Sequence, residues 1–329
     1  MRRSPVELAK GEIKVAGFPL HLDARRRVEC AFVSHAHGDH IGRHDRTIAT
    51  AATLSLMRHR LGEPKRRKTE ALPAEYRAPF GLGELTLELF AAGHVLGSAQ
   101  LRVQRGAVAL GYTGDLCTEA THAAERAEVM PCDVLVLEST FGHPRYVFPP
   151  KDETLRAVRR FVDDALSDGV TPLLLGYALG KAQEILKFLC GAGYRCAAHP
   201  VVHAVNRVYE AHGVEFPAVR AIGPEGPERD EVVVAPPHLA WSPALRGIRR
   251  RRTAVLTGWA VDGGRHFRAD AAFPLSDHAD FPSLLRYARA TGAGRVFTVH
   301  GFADVLAAAL RKEGIRAEPL AEVRQLELL

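Results

Sequence analysis

The chain has 329 residues, 47% of them hydrophobic and 25% charged, a balance that suits a globular protein of one large or two medium domains with an ample core. No run nears the roughly 18 apolar residues of a bilayer-spanning helix, and Met1-Arg2-Arg3-Ser4-Pro5 lacks the apolar core of a secretion signal; the expectation is a cytoplasmic protein with no membrane association. The net charge of +6 fits a polyanionic partner, and five cysteines, odd in number and without a C-x-x-C pair, read as reduced thiols.

The first 145 residues read as short strands and turns. The apolar run Cys30-Ala31-Phe32-Val33 leads directly into His35-Ala36-His37-Gly38-Asp39-His40, which puts three imidazoles and a carboxylate into one tight turn. Histidine nitrogen and aspartate oxygen are ligands for borderline divalent metals, and so dense a set predicts two metal ions. A strand with clean alternation over 84–90 ends near His94, and a nearly apolar strand over 107–112 ends near Asp115. Val134–Leu137 reads as a strand buried on both faces, with Glu138 at its end. Polar residues placed repeatedly at the ends of buried strands are where α/β proteins build their sites.

The texture changes after Pro149-Pro150. Asp152 is expected to cap a helix whose apolar positions Leu155, Val158, Val162 and Leu166 recur at helical spacing until Gly169. A strand at Thr171–Leu175 and a helix over about 180–189 continue a β–α alternation. Gly176–Lys181 imitates a P-loop, but its glycine spacing is one short and Ala182 stands where a magnesium-binding hydroxyl is required. Residues from about 216 to 245 read as loops around a strand at Val232–Val234. Strands are expected at 254–257 and 295–299, with helices over about 281–291 and 302–313. His278 lies in Ser276-Asp277-His278-Ala279-Asp280, and His300 follows the last strand. Basic residues cluster at Arg25–Arg27, Lys65–Lys68 and Arg249–Arg252, as a phosphate backbone would require. An aromatic content of 7% argues against an extended base-stacking platform.

The order H-x-H-x-D-H, Gly93-His94, Thr113-Gly114-Asp115, then a late His before Gly resembles the metallo-β-lactamase fold hydrolases. Glu138-Ser139-Thr140-Phe141-Gly142, Ser276–Asp280 and Val299-His300-Gly301 resemble the special motifs of their nucleic-acid-processing β-CASP branch. Tyr177–Glu184 is similar to a stretch of the messenger-RNA cleavage members. The segments 93–100 and 176–183 look most like the bacterial exonucleases that accompany ATP-dependent DNA ligases. The resemblance implies an αββα sandwich (residues 1–145 and 253–329) interrupted by an inserted β-CASP α/β domain (residues 146–252). It implies that His35, His37 and His94 hold one metal, that Asp39, His40 and His300 hold another, and that Asp115 bridges them. The ions would be zinc, manganese or both. Asp23 matches a position that orients the ligand turn.

Two cations sharing a carboxylate generate hydroxide near neutral pH and neutralise a phosphodiester oxygen. Asp39 would orient the water, and His278, held by Glu138, would protonate the leaving sugar oxygen. Lys181 and Arg249, Arg250, Arg251 and Arg252 are candidate nucleic-acid contacts. The expected function is a metal-dependent DNA exonuclease in end processing or repair, associated with an ATP-dependent DNA ligase. An RNA nuclease is the second reading, because His at position 300 is more typical of RNA-directed members. A small-molecule ester, thioester or lactone hydrolase is a third, and a non-catalytic nucleic-acid-binding homologue a fourth.

Overall fold

The computed structural model describes residues 4–9, 11–63, 69–217, 219–262 and 267–321. The basic cluster Lys65–Lys68 lies outside them. The chain separates into two compact units, one formed by 1–120, 125–146 and 278–329, the other by 121–124 and 147–277. The second boundary drawn from sequence, at 252/253, therefore moves to 277/278. The reason is physical: the strand beginning at Arg251 pairs into the second unit's sheet rather than returning to the first.

In the first unit a mixed sheet is laid down in chain order by β1 (Val6–Ala9), β2 (Glu12–Val15), β3 (Leu20–Leu22), β4 (Cys30–Phe32), β5 (Arg46–Ala49) and β6 (Glu70–Pro73). Helix α1 (Ala51–Leu61) joins β5 to β6, its Thr50 hydroxyl capping Thr53 N–H at 3.2 Å. The sequence reading missed α1, because its apolar side chains are not gathered on one face and so leave no helical period. A second sheet begins with β7 (Phe80–Leu82), β8 (Leu85–Ala91), β9 (Ala99–Arg105), β10 (Val108–Tyr112) and β11 (Val134–Glu138). Inward-facing residues of the two sheets, among them Leu20, Phe32, Ile48, Leu87, Leu101 and Tyr112, form one buried cluster.

The second unit carries α2 (Lys151–Ser167), β12 (Thr171–Leu175), α3 (Lys181–Gly191), β13 (Arg195–Ala198), α4 (Pro200–Ala211), β14 (Val219–Ala221), β15 (Glu231–Ala235), β16 (Arg251–Leu256) and β17 (Ala271–Phe273). Helix α2 starts two residues earlier than expected: Pro150 is its N-cap and Asp152 sits in the first turn, where its charge still favours the helix dipole. The six strands pair in the order β14-β13-β15-β12-β16-β17, every pairing parallel. The strands β12 and β15 read as apolar runs because both of their faces are buried.

The chain then re-enters the first unit as α5 (Phe281–Ala290), β18 (Arg295–Val299), α6 (Ala303–Lys312) and β19 (Arg316–Pro319). β18 inserts beside β11, and the second sheet runs β19-β18-β11-β10-β9-β8-β7. Leu284, Leu306 and Leu310 of α5 and α6 pack with Leu135, Leu137 and Val296 on its outer face. Two sheets face to face with flanking helices, interrupted by an α/β unit, is the expected α/β architecture. Among the described residues, no helix is long and apolar enough to cross a membrane.

Candidate metal centre

Strand direction gathers the site. β10, β11 and β18 run parallel, and β8, two antiparallel pairings from β10, runs the same way. Their carboxyl ends therefore share one edge, and each carries a polar residue there: His94 after β8, Asp115 after β10, Glu138 closing β11 and His300 after β18. The histidine turn follows β4 of the facing sheet. The crossing from β10 to Asp115 needs Gly114, whose φ is +55° and whose added Cβ would lie 2.4 Å from Ser34 Cβ.

Four donors converge tightly. His37 Nδ1 lies 3.0 Å from His35 Nε2 and 3.0 Å from His94 Nε2. Asp115 Oδ2 lies 3.4 Å from His35 Nε2 and 3.6 Å from His94 Nε2. Donors placed tetrahedrally around an ion at about 2.0–2.1 Å sit about 3.3 Å from one another, so this set fits one divalent cation. His40 and Asp115 extend it: His40 Nε2 is 3.5 Å from Asp115 Oδ2 and 3.7 Å from Asp39 Oδ2. The Asp39 side chain is 72% exposed, and the His300 ring centroid stands 5.8 Å from that of His40. The second group is thus looser than the first, but its nitrogen and oxygen donors open on the same carboxylate. Buried histidine and aspartate clusters of this kind fit a dinuclear metal site.

A second layer fixes the donors. Asp23, itself at φ +51°, accepts from Ser34 N–H at 2.6 Å through Oδ1. Its Oδ2 accepts from the Ser34 hydroxyl at 2.5 Å, the Tyr112 hydroxyl at 2.8 Å and His40 Nδ1 at 2.8 Å. The bond to Nδ1 turns Nε2 of His40 toward Asp115, the usual means of orienting a ligating imidazole. Ser34 and Tyr112 went unnoticed in the sequence; their only signal is that each stands one residue ahead of a flagged segment.

Glu138 is fully buried at the end of β11. Its Oε1 accepts from Leu116 N–H at 2.7 Å and faces His278 Nδ1 at 3.1 Å, while Oε2 accepts from Thr140 N–H at 3.1 Å. His278 Nε2 points the other way and is 4.0 Å from Asp115 Oδ2. His300 also has a positive φ, +63°, in a turn locked by the Ser139 hydroxyl, which reaches Val299 O at 2.8 Å and His300 O at 2.7 Å.

The electrostatics follow from burial and neighbours. Burial, aided by the surrounding imidazoles, holds His35 well below the usual histidine range, so it presents a bare nitrogen. Burial would also lower His40, but the carboxylates of Asp115, Asp23 and Asp39 overcome it and raise its pKa to about 10. Coordination through Nε2 would displace that proton. Burial raises the Asp115 carboxyl despite His40 and His278. Burial pushes Glu138 the same way, yet His278, the Leu116 N–H and Thr140 hold it below the usual glutamate range.

The remaining candidates divide. Lys181 is not a surface phosphate contact: it is 6% exposed and forms a buried ion pair with Asp277, its ammonium 5.0 Å from the Tyr177 ring centroid. Arg249 and Arg250 are exposed. Arg251 lies over the Trp241 ring at 4.2 Å, and Arg252 donates to Asp168 at 2.7 Å.

A two-sheet sandwich with a histidine-rich turn at its strand ends is the hallmark of one class of hydrolases, and residues 10–165 match the profile of the beta-lactamase superfamily domain. Over residues 10–165 the chain thus carries a metallo-β-lactamase superfamily domain, and β-CASP nucleases are among the proteins it is similar to. It is 41% identical over 315 residues to a protein named probable DNA ligase from Opitutus terrae, covering 93% of this chain and 30% of that one. It is 29% identical over 200 residues to a ribonuclease of Thermus thermophilus, covering 54% and 46%. Over 117 residues it is 33% identical to the endoribonuclease YSH1 of Kluyveromyces lactis, covering 35% and 15%. The chain thus spans less than half the length of each of these relatives.

Proposed function

We propose that the chain is a two-metal phosphodiester hydrolase acting on DNA, an exonuclease of end processing or repair that works beside an ATP-dependent DNA ligase. The observation that carries this is the shared carboxylate. Asp115 Oδ2 lies within 4.0 Å of four imidazole nitrogens, with the Glu138–His278 pair beside them. The DNA reading is supported by the ligase name of a relative that matches 93% of the chain. An RNA substrate is the second reading, favoured by the ribonuclease names of two other relatives and by His300.

His35, His37, His94 and Asp115 would hold one ion, and Asp39, His40, His300 and the same Asp115 the other. When bound, two divalent cations acidify water and neutralise the phosphodiester charge. The histidine-rich first group suits zinc, and the mixed second group also suits manganese. The protein does the rest with its own groups. Asp23 fixes His40, Asp39 orients the attacking water and takes its proton, and His278 donates a proton to the leaving sugar oxygen. Glu138 keeps that imidazole positive and aimed. A cytoplasmic setting accords with the absence of disulfides among the cysteines.

The test is digestion of matched DNA and RNA strands, labelled at either end, with zinc or manganese supplied in turn. DNA is expected to be shortened progressively from one end with a metal present. A strong RNA preference would overturn the substrate, and cleavage without metal would overturn the mechanism.

A further inference from the structure

We infer that the crossover between β15 and β16 is a landing site for single-stranded nucleic acid, on which an unpaired base stacks against Trp241 while flanking arginines hold its phosphates. This rests on the nuclease reading above and narrows its substrate to a single strand.

Trp241 is 81% exposed, the most exposed of the large hydrophobic side chains among the described residues. Leaving so much apolar surface in water forgoes a burial worth roughly 25 cal/mol per Å². The ring is not loose. Arg251 lies over it at 4.2 Å and is itself fixed by donating to Ala240 O at 3.0 Å. On either side the backbone is pinned, because Ala240, Leu245 and Ile248 are buried against Leu173, Val233 and Val255 of the sheet. Ser242 Oγ lies 3.1 Å from His199 Nε2. An indole held in place with a guanidinium on it loses little entropy when a base stacks on it.

The charge around it is one-sided. Residues 236–252 contain five arginines and His238 but no aspartate or glutamate. Arg246, Arg249 and Arg250 are exposed, and Arg252 is shared with Asp168. Such arginines recruit phosphates, and a base supplies a π-face to stack on the indole. In a duplex the bases already stack on one another, so the indole discriminates in favour of a single strand. The low aromatic content excludes an extended platform but not a platform of one residue.

The experiment measures anisotropy of a nuclease-resistant phosphorothioate oligothymidylate and of a matched duplex across a salt series, using the metal-loaded protein. Trp241→Ala is expected to weaken single-strand binding by about 5- to 150-fold, with its salt slope unchanged and duplex binding within about 2-fold. Trp241→Phe should recover part of the loss. Arg249→Ala with Arg250→Ala should flatten the single-strand slope by about 0.7 per arginine lost. Circular dichroism establishes that each variant folds. If the wild type degrades nucleic acid while Trp241→Ala binds the single strand as well as it does, the site falls and the nuclease stands. The patch then belongs to another occupant, such as an acidic protein. If the wild type neither binds nor degrades any nucleic acid, both fall.

Discussion

In the proposed mechanism His278 separates the metal-binding groups from the proton-delivering one. Its Nδ1 faces Glu138 at 3.1 Å, and its Nε2 is 4.0 Å from Asp115, outside the 3.0–3.6 Å spacing of the four converged donors. Replacing it with Ala should therefore leave metal content unchanged while removing the proposed general acid. Such groups contribute about 10²- to 10⁴-fold, or about 2.7–5.5 kcal/mol of transition-state stabilisation. The assay has two arms, each run beside metal analysis of the dialysed protein. On an unmodified strand, where the leaving alkoxide is a strong base, His278→Ala should lose that whole factor. On a nucleotide p-nitrophenyl ester, whose leaving group needs no proton, the defect should shrink below about 10-fold. Loss of a metal equivalent would make His278 a ligand, and an equal defect on both substrates would remove the proton-donor role. Either result refutes the assignment.

Four further outcomes are expected. Asp23→Asn keeps a residue that tolerates its φ of +51° but puts an amide where up to four donors point, so metal affinity should fall about 10- to 100-fold in a competition titration. Gly301→Ala would bring a Cβ to 2.3 Å from Ser139 O at a φ of +43°, so thermal denaturation should show a marked loss and cleavage should fall with it. Lys181→Met would strand the buried carboxylate of Asp277 at a cost of about 3–5 kcal/mol, seen in urea unfolding, whereas replacing both partners with apolar residues should recover most of it. His122 is held above its ordinary pKa by the Glu184 carboxylate 2.8 Å away, so the pair stabilises fully below about pH 6.5 and loses that contribution as pH rises through the elevated value. The melting-temperature difference between wild type and His122→Asn should accordingly be larger at pH 6 than at pH 9.

The turn at 35–40 was legible because its chemistry is local: ligand density needs no knowledge of topology. His94, Asp115, Glu138 and His300 were legible for a related reason, since each stands at the end of an apolar run whose β character the sequence declares. The strands at Thr171–Leu175 and Arg295–Val299 are found over the expected residues. What escaped was decided by partners distant in sequence. Helix α1 carries no helical apolar period, and β13 is a four-residue strand whose neighbours β14 and β15 come later. The burial of Lys181 depends on Asp277, 96 positions away, which the local motif does not reveal when it offers the lysine as a nucleic-acid contact. The boundary at 252/253 failed likewise, because β16 belongs to whichever sheet offers β12.

The hydroxyl of Ser139 bonds to Val299 O, 160 positions later, where β11 and β18 lie side by side. Closing a flexible loop of that length would cost about 4–5 kcal/mol in chain entropy. A second unit that has already folded on its own sheet shortens the effective loop and reduces this barrier. During synthesis the histidine turn emerges early, yet His278 and His300 arrive only after that whole unit has been made. The proposed hydrolytic centre is therefore assembled last, and a chain still short of its final strands carries candidate metal ligands without the proposed proton donor.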